Sequence, residues 1–245
     1  MAGETPDWGA LSAQATVFPV TDLGELAARL GSIVTFDRRG DVVWLDSFEE
    51  GLNKWAVTIV GAGASVGLSN VRVRMGLFSA RLVAGSDSGR YAQIEHPYAI
   101  PSLSNLGVEY SFARGATTDN LLTTLDINTG TRFLEPRIRY DDILARFLYR
   151  DAAGVDQVLA TGVFFPSDDR RFNTIKLVVD LAAERYVRLV VNTVTYDMSG
   201  IAFSASNDST AANARLFIRN TGDAGANRTV YIDDVILSQN EPAQP

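Results

Sequence analysis

From Val42 to the end of the chain, short runs of alternating apolar residues follow one another so closely that no crossover helix fits between them. Runs such as VVWLDSF, FSARLVA, RYAQIEH, GVEYSFA, NTIKLVVDL and TVYIDDVIL are rich in β-branched and aromatic residues, as strands are. Turn chemistry separates them, in AGSDSG, NTG, DAAG, PSDD and NTGDAGAN. Parallel pairing needs a crossover of about a dozen residues, so strands this dense pair mainly antiparallel. The fold class that follows is all-β, an antiparallel sandwich of the jelly-roll type.

Individual runs carry one wet and one dry face. In RLFIRN, Leu216 and Ile218 oppose Arg215, Phe217 and Arg219; in VRVRM, read as another strand, Val71, Val73 and Met75 oppose Arg72 and Arg74. GAGASVG, from Gly61 to Gly67, precedes no helix-start lysine and reads as a flexible sandwich loop. No repeat of a size that would build a solenoid or propeller is present.

The first forty residues differ in character. VTDLGELAARLGS predicts one short helix over about residues 21–31, with Asp22 and Glu25 forming a capping box and Gly31 a C-cap. Leu23, Leu26 and Leu30 share one face of it, and ahead of it lies an arm carrying Trp8, Leu11, Val17 and Phe18 without sustained periodicity. Those apolar residues need a surface, on their own domain or on another subunit. The chain thus divides into an arm with its helix at 1–41, a sandwich at 42–240 and a tail at 241–245.

The formal net charge of −7 argues against a nucleic-acid partner, since such binding draws on counterion release by Lys and Arg. No apolar run approaches the length of a membrane span. MAGETPDWGALSAQ has neither a basic n-region nor an apolar h-region, so no secretory signal is read there. With no cysteine, disulfides, thiolate catalysis and Cys-ligated zinc are all excluded.

Catalytic patterns are also missing, and a non-enzyme is expected. The single histidine, His96, precedes a proline and reads as a solvated or core-edge residue. Glu95 and Glu109 stand alone, without the second carboxylate that glycoside hydrolysis divides its roles between. Arg39-Gly40-Asp41 matches the integrin tripeptide but is also what an ordinary turn before a strand requires, and the sequons at Asn207 and Asn227 read as polar loop residues.

Two acidic stretches lie near opposite ends of the β-rich region. WLDSFEEGLNKW gathers Asp46, Glu49 and Glu50, and VYIDDVIL holds Asp233 and Asp234. LDSFEEGLNKW resembles the first core strand of concanavalin A-like and carbohydrate-binding-module jelly rolls. FNTIKLVVDLAAERYVRLVVNTVTYDMSG resembles their lectin and laminin-G hairpin, ending in Asp180 and near Asn192, and VYIDDVIL resembles their closing strand. The resemblance spans Val42 to Gln239. It implies that the first and last strands are neighbours, bringing Asp46 or Glu49 to Asp233 or Asp234. It further implies structural calcium held by Glu49 and Asp233, with Asp46 and Asp234 in reserve, since calcium takes hard oxygen ligands. The alternative is that Asp234 bonds backbone amides while Glu49 lies in solvent.

Fold does not name activity. The arm joined to an acidic, cysteine-free body resembles bacteriophage virion proteins of the head-decoration or tail kind. The first expectation is therefore a non-enzymatic structural or attachment protein of a virion, docked onto itself or other assembly proteins through Trp8, Leu11, Val17, Phe18, Leu23, Leu26 and Leu30. The alternative is an extracellular or cell-surface carbohydrate-binding module, with Tyr91, Tyr98, Asn207 and Asp208 as glycan contacts. Tyr140, Tyr149 and Tyr196 are further aromatic candidates, while Trp44 and Trp55 read as core.

Overall fold

The structure is a computed structural model that describes residues 40–98, 103–115, 120–166, 171–223, 225 and 227–243. The predicted arm and helix, with all seven docking residues, lie outside the described residues.

The strands in chain order are β1 (Asp41–Asp46), β2 (Ala56–Val60), β3 (Ser65–Ser69), β4 (Ser79–Ala84), β5 (Tyr91–Tyr98), β6 (Asn105–Arg114), β7 (Asn120–Asn128), β8 (Arg132–Glu135) and β9 (Arg137–Asp141). They continue with β10 (Arg146–Arg150), β11 (Asp156–Thr161), β12 (Asn173–Asp180), β13 (Arg185–Val191), β14 (Val194–Asp197), β15 (Ser204–Asn207), β16 (Asn213–Thr221) and β17 (Arg228–Gln239). One sheet runs β14-β13-β12-β6-β17-β4-β3, with β1 also on β17; the other runs β11-β10-β9-β7-β16-β5-β2, with β15 and β8 attached through β7. Every pairing is antiparallel. The expected two-sheet sandwich is the fold, and no helix among the described residues is long and apolar enough to cross a membrane.

The inner faces meet in one core that includes Ile94, Phe112, Leu125, Leu216, Ile218 and Ile232. Each such side chain contributes about 1.5–3 kcal/mol through burial. β16 shows how alternation sets this up: its residues alternate half-buried and buried from Asn213 to Thr221, so Leu216 and Ile218 enter the core while Arg215, Phe217 and Arg219 face out.

The first and last strands are neighbours, with Asp46 of β1 opposite Val235 of β17. β17 pairs with β4 through Ile232 and with β1 from Val235 onward. Between them its register on β6 slips and Asp234 adopts φ 48°, a bulge that leaves Asp233 and Asp234 where one partner strand ends and the next begins.

Several local readings differ from the structure. VRVRM is a loop, not a strand, and its polarity is reversed: Val71 and Met75 are exposed. Arg72 instead lies over the Tyr231 ring, and Arg74 reaches the acids of β17. Bonding partners outrank alternation here, because buried carboxylates need donors. Conversely, the supposed flexible glycine loop is partly strand, since Ser65 to Gly67 form the start of β3. RFLEPRIRY splits at Pro136 into β8 and β9, proline lacking the N–H a ladder requires. The predicted tail begins with Glu241, which is buried and pairs with Lys176 Nζ at 2.7 Å and Arg188 Nη2 at 2.9 Å.

Candidate functional site

The outward face of the nine-stranded sheet carries a dense set of polar and charged side chains. Its centre is β16, whose Phe217 lies opposite Glu95 of β5 and Thr124 of β7; Thr124 in turn lies opposite Arg137 of β9. In the adjoining row Arg219 lies between Gln93 and Leu122, and Leu122 is opposite Arg139. On the other side Arg215 is opposite Asp126. Alternation places these residues together because β5, β7, β9 and β16 each turn an apolar set inward.

The charges hold one another flat against the sheet. Arg215 Nη1 is 3.4 Å from Glu95 and its Nη2 3.7 Å from Asp126. Arg139 pairs with Asp156 at 3.1 Å, Arg150 with Glu135 at 3.4 Å, and Arg137 also pairs with Glu135. Arg219 differs: its Nε donates to Gln93 Oε1 at 2.7 Å and its guanidinium lies 4.1 Å over the Tyr91 ring. Arg215 similarly covers Phe217 at 5.2 Å.

These side chains are partly withdrawn from water, and their titration reflects it. Burial, reinforced by Glu135, pushes Asp126 up to about 6 against the pull of Arg215 and Arg137. Burial lowers Arg219, with Arg137 adding to the effect. Eleven buried side-chain polar atoms of the described residues have no hydrogen-bond partner, and six belong to this face: Thr124 Oγ1, Asn128 Oδ1 and the Nε of Arg137, Arg139, Arg150 and Arg215. Unpaired buried polar groups are rare and mark places that water or a ligand completes.

Two hollows flank the charged strip. One of about 300 Å³ is lined by Leu122 with Asn120, Arg137, Arg139, Asp156, Thr221 and Asp223. The other, about 660 Å³, lies at the opposite strand ends, between Tyr98, Asn128, Thr210, Asn213 and Arg215. From Arg215 to Thr221 the strand extends for about 20 Å at roughly 3.3 Å per residue, enough for several sugar rings. The strip offers guanidinium forks, carboxylate acceptors and the ring of Phe217, which together suit hydroxyls and the apolar side of a pyranose.

The glycan residues predicted from sequence fall unevenly. Tyr91 is on this face beneath Arg219. Tyr98 borders the larger hollow, its hydroxyl buried without a hydrogen-bond partner. Asn207 accepts from Arg132 at 2.8 Å, and Asp208 holds Thr210, a residue of the larger hollow, through its amide at 2.7 Å and its hydroxyl at 2.6 Å. Tyr140 is buried and bonds Asp142 at 3.1 Å, while Tyr149 and Tyr196 pack against the core. The arginines of β9 and β16 were the residues missed. Their signal was RIRY and RLFIRN, where the wet face is arginine at nearly every turn.

The acidic cluster resolves into two separate groups. Asp46 accepts from Trp55 Nε1 at 2.7 Å and Lys54 Nζ at 3.2 Å. Glu49 accepts the amides of Leu77 and Phe78 at 2.8 and 3.0 Å, Asp233 those of Arg74 and Asp234 at 2.8 and 2.9 Å, and Asp234 the Arg74 guanidinium at 2.8 Å. Glu49 is therefore bonded rather than simply solvated, and the amide acceptor on β17 is chiefly Asp233. Each of these carboxylates already takes protein donors, and Arg74 brings the positive charge, so the residues present do not fit the ion. Among the described residues no group of three or more His, Cys, Asp or Glu is placed to hold a metal. Burial and the neighbouring Asp234 push Asp233 up to about 7.

His96 is buried in the core edge, stacked on Trp44 at 3.8 Å with Nδ1 2.9 Å from the Lys54 carbonyl, and burial lowers its pKa. Trp55 is buried and Trp44 packs against the core as expected.

Strand order and sheet pairing define an antiparallel jelly-roll sandwich of the concanavalin A-like kind. No protein-family model and no curated protein matches the chain. Solved structures do. An endo-β-1,4-glucuronan lyase from the fungus Trichoderma reesei matches with TM-score 0.56 and 10% identity, over 81% of this chain and 96% of that one. A carbohydrate esterase of the Shiga toxin-encoding bacteriophage phi24B matches with TM-score 0.55 and 13% identity, over 82% and 100%. The metal-free lectin I-B4 of Griffonia simplicifolia matches with TM-score 0.50 and 12% identity, over 80% and 99%. At these identities the likeness is one of fold.

Proposed function

We propose that this chain is a carbohydrate-binding module that holds a glycan along the outward face of its nine-stranded sheet. One observation carries the reading: of the eleven buried polar atoms without a hydrogen-bond partner among the described residues, six lie on that face, and of those six only Arg150 Nε has a carboxylate, Glu135, at 3.4 Å. A surface that served only solubility would leave such groups in water. The lectin, the lyase and the esterase that share the fold are each named for carbohydrate, which supports the same reading. Binding without turnover is proposed because the carboxylates Glu95, Asp126, Glu135 and Asp156 are each engaged by arginine. The virion reading drew on the arm, outside the described residues, and the sandwich adds nothing to it.

Affinity electrophoresis through a panel of soluble polysaccharides tests this. The protein should be retarded by at least one, and the double variant Arg137→Ala/Arg215→Ala should lose about tenfold in affinity, two hydrogen-bonding side chains being removed, with an unchanged fold by circular dichroism. Retardation by none of the panel, or equal retardation of the variant, ends the proposal.

A further inference from the structure

Resting on that carbohydrate reading, we propose that the glycan is acidic and that Arg219 receives a sugar carboxylate. The outward face carries the guanidiniums of Arg137, Arg139, Arg150, Arg215 and Arg219. Glu95, Asp126, Glu135 and Asp156 lie against four of them, Arg146 and Asp141 form a further pair on the face, and Asp223 lines the smaller hollow.

Arg219 is the exception among these arginines. Each of the other four guanidiniums has a carboxylate within 4 Å, whereas Arg219 forms no ion pair among the described residues. It is nonetheless held in place, with Nε on Gln93 and its plane over Tyr91, so its remaining N–H groups are oriented without being neutralised. Keeping a partly buried cation unpaired is costly, and a carboxylate that matches the guanidinium fork would offset that cost. In register Arg219 lies next to Leu122, which lines the smaller hollow together with Arg137, Arg139, Asp156 and Asp223, while the Arg219 guanidinium itself leans toward Gln93 and Tyr91 of β5 beside that hollow. Burial and then Arg137 lower Arg219, while Tyr91 and Asp126 act the other way without pairing with it.

Isothermal titration of the full chain decides it, using three probes of equal length. They are a 1,4-linked oligouronate, the same oligosaccharide after carboxyl reduction, and a sulfated neutral oligosaccharide. The oligouronate should bind about tenfold or more tightly than its reduced form, and about 0.5 M NaCl should shrink that preference, since salt screens a partly exposed pair. Arg219→Gln should erase the preference, and Arg219→Lys should keep part of it. If the reduced form binds as well as the oligouronate, the acidic ligand is wrong while carbohydrate binding stands. A preference for the sulfated probe overturns the carboxylate assignment in the same way. Binding of none of the three, nor of any polysaccharide in the panel, removes both proposals. Should Arg219→Gln misfold, the probe series and salt dependence of the unaltered chain still decide.

Discussion

The indole N–H of Trp55 donates to Asp46 Oδ2 at 2.7 Å, joining the end of the first strand to a buried ring nine residues further on. Asp46 is itself buried, and its second oxygen takes Lys54 at 3.2 Å. The carboxylate therefore pins the β1–β2 connection to the core that Trp55 shares with Phe48, 5.5 Å ring to ring. Asp46→Ala should cost about 2–3 kcal/mol by leaving the indole donor unmet. Asp46→Asn keeps an acceptor and loses mainly the partly exposed Lys54 pair, so it should cost less than about 1 kcal/mol. Urea denaturation midpoints of the two variants check the order, and equal losses would show that charge rather than the indole bond matters.

Asp233 gives the stability a pH dependence of definite sign. Its carboxyl is pushed up to about 7 in the folded chain, above its ordinary range, by burial and then by Asp234. A raised folded value means that the native state holds the proton where the unfolded chain has released it, so this contribution falls as pH rises toward 7. Asp233→Asn keeps an oxygen for the Arg74 amide without the charge. Relative to the parent it should gain stability between pH 5 and pH 8, by an amount on the order of a few kcal/mol. Melting both proteins across that range tests it; a difference that does not grow with pH would refute the assignment.

Arg74 supplies the positive charge that calcium was expected to supply. Its guanidinium meets Asp234, and its amide meets Asp233. Chelation with EDTA should therefore leave the melting temperature unchanged, and Arg74→Ala should lower it by more than Val71→Ala, a change at an exposed neighbour. A fall on chelation would show that a cation does enter between these strands.

The two-sheet architecture and the adjacency of the chain's first and last strands were legible because both follow from periodicity, turn chemistry and strand order. What was not legible depended on side chains distant in sequence. Nothing in VRVRM reveals that Arg74 turns toward acids 159 and 160 positions away, overriding the alternation that put its valines inside. The same holds for the candidate site. RLFIRN showed Arg215 and Arg219 on one face, but only the registers of β5, β7, β9 and β16 show that Arg137, Asp126 and Glu95 share it. Aromatic content pointed to tyrosines, of which only Tyr91 lies on that face, beneath an arginine.

Glu241 closes the outer side of the other sheet. Its buried carboxylate meets Lys176 and Arg188, and Ser238 Oγ donates to it at 2.6 Å. Removing one partner of a buried ion pair leaves charge uncompensated, so Glu241→Ala should cost about 3–5 kcal/mol. Truncation after Asn240 should be at least as severe. Chemical denaturation measures both, and a truncated chain as stable as the full one would show that the network is incidental.

Asp126 should make acidic-glycan binding strengthen as pH falls. Its carboxyl, pushed up to about 6 by burial, faces Arg215 of β16, Arg137 of β9, Glu135 of β8, and Glu95 and Tyr98 of β5. Ionised above that value, it competes with the ligand's carboxylate for Arg215 and repels it; protonated below it, it leaves Arg215 with Glu95 as its one carboxylate partner and makes the face less negative. The ligand's own carboxylates stay ionised down to about pH 4, so the change from pH 7.5 to 5.5 is the protein's. Affinity for an oligouronate should rise about threefold to tenfold across that interval, a modest charge effect at a partly exposed site. Asp126→Asn should bind at pH 7.5 as the parent does at pH 5.5, with a flat profile between, whereas affinity for the carboxyl-reduced oligosaccharide should change little in either protein. Titration calorimetry at four pH values supplies the comparison, and a parent profile as flat as the variant's would show that Asp126 does not face the ligand.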